Sequence, residues 1–157
     1  MKRFSTLLFF ILLMLLGFSG CEKKAPGAVA QMHWDRDMCE RCNMAISERK
    51  FAVQIIDPQS GKVHKFDEIG CAVLWMNEEK IPWKNKAVIW INDAQNGKWI
   101  DAKKAKYTDG AITPMAFGFA AYSDQTLPPD KKAYDFATIS EKIQEIEAKN
   151  TKKVRAY

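Results

Sequence analysis

Apolar residues fall in short, separated runs along the chain, and most runs carry a readable period. Phe51 to Ile56 is a run of mostly β-forming residues, and Asp57-Pro58-Gln59-Ser60-Gly61 then supplies turn chemistry. Val63 to Phe66 reads as the returning strand of a hairpin. Ile69, Ala72, Val73 and Met76 recur at helical spacing, which predicts a helix to about Glu79 with Cys71 opposite the apolar stripe. The carboxylate of Asp67 is expected to cap it by accepting from free N–H groups of the first turn. Ala87 to Ile91 reads as a buried strand, and Lys98 to Ala102 as another beyond the Asn96-Gly97 turn.

The second half repeats this plan. Met115 precedes an apolar run, Phe117 to Tyr122, and after a polar loop with Pro128 and Pro129 the chain returns over Lys132 to Tyr134. Asp135 is expected to cap a helix whose Phe136, Ile139, Ile143 and Ile146 form one stripe, and Lys153-Val154-Arg155 to close the unit as Lys86 to Val88 does in the first half. Met44 lies 23 residues before Asp67, and Met115 lies 20 before Asp135. The expected fold is α+β: two small pseudo-repeated ββαβ units packed together, residues 32–92 and 93–157.

The N-terminus follows a different pattern. Lys2 and Arg3 precede an apolar run from Leu7 to Phe18, then Ser19, Gly20 and Cys21, which reads as an export signal over residues 1–20. Two small residues before a cysteine match the cleavage and lipidation site of bacterial lipoproteins, with Cys21 as the lipid-bearing residue. The run is about a dozen residues, short of the roughly 20 needed to span a bilayer. Residues 21–31 contain Pro26 and Gly27 among small and charged residues and read as a flexible tether. The expected location is a cell membrane or outer membrane, lipid-anchored and facing the periplasmic or extracellular side.

Composition narrows the function. The 157 residues carry 24 Lys and Arg against 19 Asp and Glu, a formal +5. Two of those positive charges lie in the export signal, which leaves +3 on the mature chain and no basic stripe to suggest a nucleic-acid partner. A 47% hydrophobic content supports a buried core, and the length excludes a large barrel. There is no Gly-rich phosphate loop, and Ser, His and Asp are scattered, so an enzyme is not expected.

The dense feature is Asp37-Met38-Cys39-Glu40-Arg41-Cys42-Asn43-Met44. Thiolate and thioether sulfurs are polarizable and favour Cu(I) over hard ions. In an extended segment residues i and i+2 point to one side, so Cys42 and Met44 can present both sulfurs to one ion. A Cys39–Cys42 disulfide and a redox pair compete with this reading. Zinc would need four ligands, and the spacing of His33, Cys39, Cys42 and His64 matches no familiar zinc pattern. With Cys21 lipidated, three cysteines remain, so at least one is free or pairs between molecules. A Cys39–Cys71 bridge would leave Cys42 for metal; the alternative reading of Cys71 is a small packing residue.

Four blocks in order, Cys39-x-x-Cys42-Asn43-Met44, Phe51-Ala52-Val53-Gln54, Phe66-Asp67-Glu68-Ile69-Gly70-Cys71 and Thr113-Pro114-Met115, resemble the nitrous oxide reductase accessory protein family, NosL. Where this chain has Asn43, the family usually has Gly; Asn is the next most tolerant residue at positive φ. The resemblance implies a lipid-anchored Cu(I) carrier that supplies nitrous oxide reductase through its membrane maturation complex. Position by position, it implies copper ligands at Cys42, Met44 and Met115, and the internal repeat separately makes Met115 the equivalent of Met44. His33, Met38, Cys39 and His64 stand as reserve ligands, and a dimer is left open. The competing functions are a thiol–disulfide oxidoreductase using Cys39 and Cys42, and a structural, disulfide-stapled lipoprotein.

Overall fold

The structure is a computed structural model that describes residues 27–155. The expected export signal and lipidated Cys21 lie outside the described residues. The fold is α+β, with antiparallel sheets of four and two strands and two helices among the described residues. Strands β1 (Val53–Ile56), β2 (Val63–Phe66), β3 (Val88–Asn92) and β4 (Trp99–Asp101) form the larger sheet in the order β2-β1-β3-β4. Helix α1 (Ile69–Glu78) connects β2 to β3, so the first half has the expected ββαβ order.

β1 is central and buried along its whole length because the sheet is covered on both faces. On one face Phe66 opposes Val53 and His64 opposes Ile55, and both β2 rings pack on Trp75 of α1. On the other face Gln54 is completely buried yet paired, accepting from the Ala30 N–H at 2.8 Å and donating to the Ala30 carbonyl at 2.9 Å. Trp90 Nε1 donates to the Gly27 carbonyl at 2.8 Å, so residues 27–31 run against this face. A buried amide that kept no partner would cost about 1–3 kcal/mol, which ties the segment to its place.

The second half departs from the expected pattern in three ways. Strand β5 (Lys106–Thr108), which no sequence signal suggests, pairs with β6 (Ala120–Tyr122). Tyr107 also exchanges backbone hydrogen bonds with Tyr134, so β5 lies between the two segments expected to form a hairpin. The expected closing strand Lys153-Val154-Arg155 is instead the end of helix α2 (Phe136–Arg155). Lys and Arg continue a helix as readily as they form a strand, and three residues carry too little pattern to decide. The stripe on α2 is as expected, with Ile139 and Ile143 fully buried.

The halves are joined by packing and by contacts such as the Met115 N–H donating to Glu68, and buried Asp93 ties the loops of the second half together. Asp93 accepts from the N–H groups of Gln95 and Ser123 and from the Thr126 hydroxyl. Loop residues Thr113 to Gly118 close over the start of α1. A Cβ on Gly70 would lie 2.1 Å from the Phe117 ring, so only glycine admits this approach. Helix α1 is therefore buried from Ile69 through Met76 rather than on one stripe, and Cys71 faces protein on the side the periodicity left open.

Candidate metal centre

The sulfur-rich segment folds as a tight loop. Met38 and Ala45 form a bridge, the Cys39 N–H donates to the Met44 carbonyl at 2.9 Å, and the Asn43 N–H donates to the Cys39 carbonyl at 3.0 Å. Asn43 sits at φ +57°, the left-handed conformation that the Gly-for-Asn comparison anticipates. This reversal turns backbone N–H groups inward: those of Arg41 and Cys42 face the Cys39 sulfur, joined by that of Asp67 beyond β2, and that of Met44 faces the Cys42 sulfur.

Each residue between the two cysteines anchors the loop elsewhere. Glu40 accepts from His64 Nδ1 at 2.7 Å, and its N–H donates to the Lys65 carbonyl at 3.0 Å. The Arg41 guanidinium bonds Glu78 of α1 at 2.8 Å and Glu147 of α2 at 2.7 Å. The loop is thus fixed to β2 and both helices, which leaves its sulfurs little freedom to rearrange.

The first turn of α1 completes the group. Asp67 and Cys71 bring their side chains beneath the loop, and the ligand atoms of Cys39, Cys42, Asp67 and Cys71 all lie within 4.8 Å of one another. Cys42 Sγ donates to Asp67 Oδ2 at 3.2 Å. Cys39 and Cys71 are fully buried, while Cys42 is half-buried and forms the outward side. All three are free thiols, so neither Cys39–Cys42 nor Cys39–Cys71 is bridged in this structure.

The thiols differ electrostatically. A hydrogen bond from Cys71 lowers Cys39 from its ordinary 9.0 to about 6 against the opposing effect of burial, and the inward N–H groups add to the lowering. Burial pushes Cys42 up to about 12, with Cys39 and Asp67 acting in the same direction. Cys71 is raised as the donor to Cys39, and further by its burial. The group therefore stores one thiolate and two thiols, with the thiolate at the bottom. A soft cation entering it meets a negative sulfur already formed.

No protein-family model matches the chain, and no curated protein matches it in sequence. Among solved structures it is similar to the crystal structure of the copper chaperone NosL from Shewanella denitrificans, with a TM-score of 0.55 and 16% sequence identity, over 69% of this chain and 93% of that one. The chain has a NosL-like fold.

Set on this NosL-like fold, the residues singled out by sequence separate into two groups. Cys42 and the reserve residue Cys39 join the cluster. His33 is outside it, with its ring 3.5 Å from Asp37, and His64 is held by Glu40 and stacked 4.5 Å from Trp75. Met38 and Met44 are exposed at 51% and 46%. Met115 is half-buried in the Thr113–Gly118 loop, and its N–H donates to Glu68 Oε1. Glu68 is itself fully buried; burial raises its carboxyl above the usual carboxylate range, opposed by hydrogen bonds from Thr113, Met115 and Phe117.

Two members of the cluster have other roles in the sequence reading, Asp67 as a helix cap and Cys71 as a packing or bridging residue. The structure corrects the first. Glu68 occupies the cap position with no side-chain cap, and Asp67 Oδ1 accepts only the adjacent Glu68 N–H, at 2.9 Å. The available signal was Asp67-x-x-x-Cys71, an i,i+4 pair that a helical start places on one face.

Proposed function

We propose that this protein is a membrane-tethered Cu(I) metallochaperone that takes up copper at Cys42 and passes it on by ligand exchange. The observation that carries the reading is the gathering of three free thiols and one carboxylate within 4.8 Å, with one thiol facing outward. The similarity in fold to a protein described as a copper chaperone supports it. Polarizable sulfur selects Cu(I) over hard cations, and a half-buried sulfur lets a partner's ligand reach the ion. Met44, two residues beyond Cys42 and exposed, is the first thioether an outgoing ion would meet, and Met115 is the second-half candidate.

The anchor is the lipid on Cys21, which holds the chaperone at the extracytoplasmic side of a membrane. Its recipient is a copper enzyme matured there, nitrous oxide reductase with its membrane maturation complex, as the four sequence blocks imply. An oxidoreductase reading has less support. An enzyme attacking foreign disulfides needs its acidic thiol at the surface, whereas here Cys39 is acidic and buried and the outward Cys42 is held protonated.

Titration of the reduced domain with Cu(I) beside a competing chelator tests the proposal. One tight site is expected, lost in Cys42→Ser, with transfer from it slowed in Met44→Leu. The chaperone reading fails if no tight site forms or if Cys42→Ser binds as the wild type does. Insulin reduction dependent on Cys39 and Cys42 would favour the oxidoreductase.

A further inference from the structure

The family resemblance implies copper between Cys42 and the two methionines, yet the fold packs Cys42 against a different set of atoms. We infer that Cys39, Cys42 and Cys71 form an inner, three-sulfur station for Cu(I), with Cys42 as the ligand shared between this station and the Met44 rim. The inference rests on the chaperone reading and specifies where the ion rests. Its geometric basis is the mutual 4.8 Å limit on the ligand atoms and the complete burial of Cys39 and Cys71.

Three features make the station a copper site rather than a packing cluster. Nothing bridges the sulfurs, so all three are available. The loop that carries Cys39 and Cys42 is fixed by Glu40 and Arg41 to elements packed around it, so the sulfurs are held before the ion arrives. The approach is one-sided, through half-buried Cys42.

The fourth group, Asp67, then has a defined part. A hard carboxylate is a poor ligand for a soft monovalent ion, and adding it to three thiolates would bury still more negative charge around a single positive one. Asp67 instead accepts the hydrogen bond of Cys42 at 3.2 Å in the metal-free chain. When Cu(I) binds, a Cu–S bond replaces the S–H bond of each thiol that becomes a thiolate, and the proton leaves to water. No electron is transferred. On release, the Cys42–Cu bond persists while bonds to Cys39 and Cys71 are exchanged for one to the Met44 thioether, and the two inner sulfurs can take up protons again.

The test is X-ray absorption and competitive Cu(I) titration on the full domain, comparing wild type with Cys39→Ser, Cys71→Ser and Met44→Leu. Three sulfurs and no oxygen are expected around copper in the wild type. Each inner-cysteine variant should lose one sulfur and at least tenfold in affinity. Met44→Leu should retain the wild-type sulfur count while slowing release to a chelator. Circular dichroism and urea denaturation identify any variant that fails to fold; for such a variant, Cys→Ala replaces Cys→Ser. The inner station is overturned if folded Cys39 and Cys71 variants keep wild-type sulfur count and affinity, or if an oxygen ligand appears. In either case tight binding that depends on Cys42 leaves the chaperone reading standing. Absence of any Cu(I) site removes both.

Discussion

Asp67 and Asp135 stand just before the two helices, and by local sequence they are equivalent. Each precedes an apolar helical stripe and each follows a strand-forming segment. Asp135 behaves as the local rule requires, its carboxylate accepting from the Thr138 N–H at 2.8 Å in an exposed setting. Asp67 is buried at 2% exposure and turns away from its helix toward Cys42. The difference lies in what covers each helix start. The loop carrying Phe117 and Met115 closes over Glu68 and Gly70 and Asp67 lies beside them under the sulfur loop, while the start of α2 remains at the surface. An acid that can reach water is free to cap; one enclosed with thiols must find its partners among them.

Closure over α1 is the cause of this contrast, and Gly70→Ala should break it most strongly. The added Cβ meets the Phe117 ring at 2.1 Å, so a loss of about 3 kcal/mol is expected in urea denaturation, as for an overpacked core. Phe117→Ala in the same chain should recover part of it, and a Gly70→Ala midpoint equal to wild type would remove the packing argument. Next in size is Asp67→Asn, which keeps the shape and removes the charge. Asp67 holds the proton on Cys42 and adds negative charge beside the sulfurs, so its removal should strengthen Cu(I) binding, by up to about tenfold for one pKa unit. Asp135→Asn should leave copper binding unchanged, and equal effects from the two would erase the comparison.

Asp135→Ala should cost about 1 kcal/mol through loss of the cap, measured by thermal or urea unfolding. The pH dependence of the metal-free protein supplies a further reading. Because Cys39 is lowered from 9.0 to about 6, its contribution to stability is complete above pH 9 and is lost as pH falls through about 6. Thiolate absorbance should therefore show one equivalent titrating near pH 6, and Cys39→Ser should flatten the stability profile between pH 6 and 9. A wild-type protein with no thiolate below pH 8 would contradict this assignment.

Much of the first half is legible in the chain because its signals are local and agree. The run ending at Ile56, the Asp57–Gly61 turn and the strand Val63–Phe66 give the hairpin, and the stripe from Ile69 to Met76 gives α1. The second half is less legible. β5 has only three residues, Lys106–Thr108, and its pairing depends on partners at Ala120–Tyr122 and Tyr134. At the site, Cys42 stands out by spacing alone and Asn43 by its tolerance of positive φ. Cys71 and Asp67 do not stand out, since a cysteine in a helix and an acid before one both have ordinary local explanations.

The sequence by itself determined the α+β class, the capped start of α2 and the sulfur-bearing loop, because periodicity, turn chemistry and left-handed tolerance act over a few residues. Tertiary structure decided which sulfurs meet. Cys71 and Asp67 reach Cys39 and Cys42 because the end of β2 and the first turn of α1 carry them beneath the loop. A side-chain cluster of this kind is a property of burial and approach between distant segments, and those are fixed by packing.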